Sequence, residues 1–147
     1  MKELYLFLAL LAGLAVVVQT GVNSQLNFLT NNPVFTALIS FVVGTLGILL
    51  YLLFTDRNAL LQPTGFKGQW WLYVGGLLGA FYITAVVIVA PRLGAATTIG
   101  LIVASQLIFA VIFDHFGWLG FPVKEVSLIR IVGVILLIAG VFLIRKF

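Results

Sequence analysis

Residues 70–113 read WWLYVGGLLGAFYITAVVIVA-PR-LGAATTIGLIVASQLIFAVIF. Two apolar runs, 70–90 and 93–113, are parted only by Pro91 and Arg92. The hydrocarbon core of a bilayer takes about 20 apolar residues of helix to cross. Each run is that long, and the connection is so short that the two predicted helices must be an adjacent antiparallel hairpin. Further runs of matching length lie on either side, at 4–22, 34–54 and 126–144, and Arg130 is the single charge inside any of them. The reading is an all-α membrane protein: one domain, residues 1–147, with five transmembrane helices.

Composition agrees. Hydrophobic residues make up 63% of the chain and charged residues 8%, with a mean hydropathy of +1.24. A soluble domain of this length could not cover so much apolar surface with so few charges. Eight basic residues stand against four acidic ones. They are scattered at span ends, as headgroup anchors are, so the expected partner is the lipid bilayer and not nucleic acid. The chain has no cysteine, which excludes disulfides, thiolate metal sites and cysteine nucleophiles. Lys2 followed by an apolar run imitates a signal peptide. That run is too long for one, lacks a clear cleavage site and precedes four more spans.

An odd number of spans puts the two ends of the bundle on opposite faces. Lys2, Arg57, Lys67, Lys124 and Arg130 fall on one face (A), and Arg92, Arg145 and Lys146 on the other (B). Orientation follows the Lys/Arg excess, and five against three is a small excess. The expectation is a chain that inserts both ways up, so that two copies supply an inverted repeat. The tryptophans, Trp70, Trp71 and Trp118, all lie on face A. An inverted pair would give each leaflet its aromatic belt.

The connection 23–33 reads as an uncharged, amide-rich loop, with Pro33 suited to the first turn of the second helix. Small residues recur at packing intervals: Gly75 and Gly79, Ser40 and Gly44, Gly100 and Ala104, and Gly133 and Gly140, the last pair seven apart on one face. Such spacing lets helices approach closely in lipid. Glycine is also simply common in membrane helices.

Little here could be catalytic. Asp114 and His115 adjoin at the end of the fourth span, without a nucleophile or a third metal ligand, and read as a polar helix end at the interface. No cofactor or metal is expected, and no Gly-x-x-x-x-Gly-Lys-Ser/Thr loop that could hold a nucleotide is present. The polar residues inside the apolar runs are more telling. Gln19 and Asn23 are four apart, Asn27 extends the stripe if the first helix continues, and Ser105-Gln106 lies within the fourth span. Amides in hydrocarbon need partners or a cavity, so Gln19, Asn23, Ser105 and Gln106 are the candidate substrate pathway. The alternative is interhelical hydrogen bonding. No Asp or Glu lies mid-span, which disfavours proton-coupled cation export.

The landmarks in order are Gln19…Asn23-x-x-Leu26, Ala37-Leu-Ile-Ser-Phe-x-Val-Gly44-Thr45, Gly75-Gly-Leu-Leu-Gly79-Ala80, Ala90-Pro-Arg-Leu-Gly94-Ala-Ala96, Gln106-Leu-Ile, Asp114-His-Phe-Gly117 and Arg130-x-x-Gly133-x-x-Leu136-x-x-x-Gly140-Val141. Together they resemble the YdcZ-type family of the drug/metabolite transporter superfamily. The resemblance implies a five-helix half-transporter of the inner membrane that pairs as an antiparallel ten-helix dimer, with itself or with an inverted paralogue, and works by alternating access. Where four-helix members of the superfamily use a glutamate in helix 1, this chain has only Gln19 and Asn23. The expected activity is secondary transport of a small organic metabolite or amphiphile. The rivals are a passive pore on the same dimer and a non-transporting accessory subunit.

Overall fold

A computed structural model describes residues 2–61 and 73–146. Lys67, Trp70 and Trp71 lie outside the described residues. Helices α1 (Lys2–Thr30), α2 (Pro33–Thr55), α3 (Arg57–Leu61), α4 (Val74–Leu93), α5 (Ala95–Phe116) and α6 (Leu128–Lys146) follow one another, with a 3₁₀ turn at Trp118–Gly120. All but α3 are long and apolar enough to cross a membrane. The chain divides into two compact units, Met1–Pro91 and Arg92–Phe147.

In the first unit, α1 runs past Val22 to Thr30, so most of the expected loop is helix. Residues 23–30 contain no glycine or proline to break it, and polarity alone does not end a helix. The reversal needs two residues. Asn31 takes a left-handed conformation at φ 51°, which asparagine tolerates better than most side chains. The Asn32 carboxamide oxygen then accepts from the backbone N–H groups of Val34 and Phe35 at 3.0 and 3.1 Å, capping α2 just before Pro33 at its first position. A Thr30–Thr36 hydroxyl bond of 2.7 Å ties the two ends together.

The apolar core of this unit is small: Ala37 of α2 with Ile83 and Val87 of α4, flanked by Tyr82. Gly79 lets α4 approach α2, because a Cβ there would meet the Phe41 ring at 3.2 Å, whereas Gly75 faces open space. The α4 helix carries Pro91 and Arg92 inside it and stops at Leu93. The turn therefore falls at Gly94, not at Pro91-Arg92. Its φ of 81° is a conformation glycine takes without strain.

In the second unit, α6 packs on α5 through Val141, which would touch a Cβ at Gly100 at 3.1 Å. Val141 and Ala104 are both buried. This assigns the Gly100/Ala104 pair: it is the seat of α6. Gly133 and Gly140 face open space. Large apolar side chains such as Leu10, Phe81 and Leu136 stand 74%, 74% and 66% exposed. Such surface is tolerable only against lipid or another apolar protein face.

Candidate functional site

A cavity of about 220 Å³ opens in the first unit among α1, α2 and α4, lined by Gln19, Ser40, Phe41, Gly44, Thr45, Ile48 and Ile83. Gly44 is the central residue of α2 (33–55). Gln19 lies as many residues before the end of α1 as Gly44 lies after the start of α2, so the cavity sits near mid-span. On α2, Phe41, Thr45 and Ile48 share one helical face by their spacing of four and three.

The polar side chains of this region fall into two classes. Some hydroxyls are engaged locally: Thr20 donates to the Val16 carbonyl and Ser24 to that of Thr20, each at 2.8 Å. These bonds complete the hydroxyl's donor and turn it away from any ligand. Gln19, Ser40 and Thr45 make no such bond among the described residues, and all three border the cavity. One and two turns along α1 from Gln19, Asn23 is only 4% exposed, and the buried Asn27 side-chain oxygen has no hydrogen-bond partner among the described residues. Orphaned buried acceptors are uncommon and call for a ligand, a water or another chain.

The second unit holds a different polar cluster. Arg130, three residues into α6 counting from Leu128 as the first, reaches the Asp114 carboxylate at 2.6 Å. It also donates to the Lys124 carbonyl at 3.0 Å. The Lys124 N–H returns to the Asp114 carbonyl at 2.9 Å, and His115 Nδ1 accepts from the Val126 N–H at 3.3 Å. These bonds fold the 117–127 connection back onto the end of α5. Asp114 and His115 thus brace a helix end, with side chains of the ion pair 29% and 23% exposed. A double-mutant cycle on Asp114→Asn and Arg130→Gln is expected to give a coupling of about 1 kcal/mol in the thermal stability of the detergent-solubilised protein, the upper range for a partly exposed pair. His115→Ala should cost less than half as much.

Arg92 is exposed at the end of α4. Ser105 is exposed and donates to the Ile102 carbonyl at 2.8 Å. Gln106, at the middle of α5, is exposed with no hydrogen bond among the described residues. So the exposed Gln19 borders the cavity, the buried Asn23 lies one turn further along α1 outside its lining, and Ser105 and Gln106 are exposed on α5 of the other unit. Sequence reasoning did not single out Ser40, Thr45 or Phe41 for this site. Their spacing was the available signal.

The family model described as "Putative inner membrane exporter, YdcZ" matches residues 4–143. Inner membrane protein YdcZ of Escherichia coli (strain K12) is 30% identical over 145 residues, covering 99% of this chain and 97% of that protein. No solved structure matches.

Proposed function

The chain belongs to the YdcZ family of the drug/metabolite transporter superfamily, and from that premise we propose that it is a secondary transporter of a small organic metabolite or amphiphile. It is a multi-pass protein of the inner membrane, with five helices able to span it. The five helices act as one transport domain, and two copies in opposite orientation, or this chain with an inverted paralogue, form the working unit. The cavity alternates its access between the two faces without ATP, and the family's description as a putative inner membrane exporter favours outward movement. We read it as a transporter and not an enzyme.

One observation carries this reading: a mid-span cavity bordered by Gln19, Ser40 and Thr45, none of them hydrogen-bonded among the described residues. Transporters place substrate sites near the bilayer midplane, where unengaged polar groups are otherwise costly. Asn23 continues the path along α1. In the second unit, the exposed Gln106 amide and its neighbour Ser105 on α5 are the further candidates for the pathway, with a second copy as the partner that would cover them.

A thermal-shift screen of the purified protein against metabolites finds ligands by the stability they add. Gln19→Leu and Gln106→Leu are each expected to keep a near-normal melting temperature and to lose the response to such a ligand and its saturable flux in proteoliposomes. If these amides only glue helices, the mutants lose about 1–2 kcal/mol of stability and keep responding to ligand. A conductance that never saturates would make the protein a pore.

A further inference from the structure

We infer that the cavity takes an uncharged substrate: a flat or compact apolar body, about the size of a benzene ring, carrying one small group that both donates and accepts hydrogen bonds. This rests on the reading of the cavity as the transport site and adds the substrate class to it.

Three features converge. Gln19 offers amide N–H donors and a carbonyl acceptor, and Ser40 and Thr45 offer hydroxyls that do both. No full charge is among these groups. The remaining wall is Phe41, Gly44, Ile48 and Ile83, an aromatic face, a bare backbone and two branched aliphatics. Space for roughly one ring plus a polar group follows from volume, since a dry cavity of about 150 Å³ already admits benzene and this one is about 220 Å³.

The case against ions is stronger still. Among the described residues of this unit, charges stand at helix ends: Lys2 and Glu3 open α1, and Asp56 and Arg57 follow α2. At 1.5 Å per residue, Asp56 is about 16 Å along the helix from Thr45, and Glu3 about 24 Å from Gln19. Asp114 and Arg130 pair with each other outside the mid-span region, and Glu125, Lys124, Arg92, Arg145 and Lys146 lie in connections or terminal turns. An unpaired ion in such a site would give up its hydration without compensation, whereas a neutral amide or hydroxyl needs only dipoles. The substrate itself then carries no charge across the membrane at this site.

The test uses three isosteric probes on the full-length protein in detergent: benzamide, benzamidinium and benzoate, followed by ligand-observed NMR titration at neutral pH. Benzamide is expected to bind, and both ions to bind roughly tenfold more weakly or not at all. Gln19→Leu should weaken benzamide roughly tenfold, the effect of one lost hydrogen bond, with the variant's melting temperature unchanged. An ion binding as tightly as benzamide, and losing affinity in Gln19→Leu, overturns neutrality and leaves the site standing. Binding that ignores Gln19→Leu, or no binding by any probe, overturns the site and the inference with it.

Discussion

The variant Gln25→Lys, Leu29→Lys, Arg57→Gln, Lys124→Gln is expected to reverse the preferred orientation of the chain in the membrane. The parent carries five basic residues on face A and three on face B. The four substitutions make that three and five without altering the total. Gln25 and Leu29 are exposed on the part of α1 that projects beyond its apolar run, Leu29 at 82%, so lysines there meet water and headgroups. Because Lys/Arg bias sets orientation, the minority topology of the parent should become the majority topology of the variant.

The absence of cysteine makes the measurement clean. Phe28→Cys reports face B and Phe121→Cys face A, both positions being well exposed. In intact cells each reporter in the parent background should react with a membrane-impermeant thiol reagent in part, and fully after permeabilisation. In the charge-swapped background the two accessible fractions should trade places. A parent whose reporters label from one side only, when expressed alone, would rule out the inverted homodimer and leave an inverted paralogue as the partner.

How far the sequence reached depended on whether a property is one-dimensional. Apolar length is, so five spans could be read directly. The end of α1 could not, because apolarity stops at Val22 while the helical hydrogen bonding continues to Thr30. Pro91 marks a turn in sequence, yet the chain reverses its backbone conformation at Gly94, where φ becomes positive. Gln19 stood out as an amide among aliphatics. Ser40 and Thr45 did not, since hydroxyls in helices commonly return to the carbonyl four residues back, as Thr20, Ser24 and Thr98 do here. That these two make no hydrogen bond among the described residues, beside a cavity, is a property of packing. Arg130 was conspicuous alone, but its partner Asp114, sixteen residues earlier, depends on how the connection folds back.

The sharpest expected result concerns α6 and whether the pairing is antiparallel or parallel. With Val141 seated against Gly100, the Gly133 and Gly140 positions remain open. They also straddle the centre of the helix, which spans 128–146. A two-fold axis in the membrane plane would run α6 antiparallel to its copy and exchange positions about that centre. Gly133 of one copy would then face Gly140 of the other. Each glycine would lie about 10 Å along the axis from its own counterpart, seven residues at 1.5 Å. A parallel pair would instead bring each glycine to itself. Disulfides require Cα atoms about 4.4–6.8 Å apart, which separates the two cases. Gly133→Cys and Gly140→Cys chains, each expressed alone and oxidised in membranes, are expected to stay monomeric on denaturing gels. Co-expressed, they should give a cross-linked heterodimer as a major product. Gly133→Leu with Gly140→Leu should weaken the dimer while leaving each chain inserted, because leucine would push the backbones apart. Efficient self-linking of Gly133→Cys alone would establish a parallel pair and remove the inverted repeat. No cross-link in any combination, with the dimer intact, would move the interface off α6 to another exposed face, such as that of Gln106 on α5.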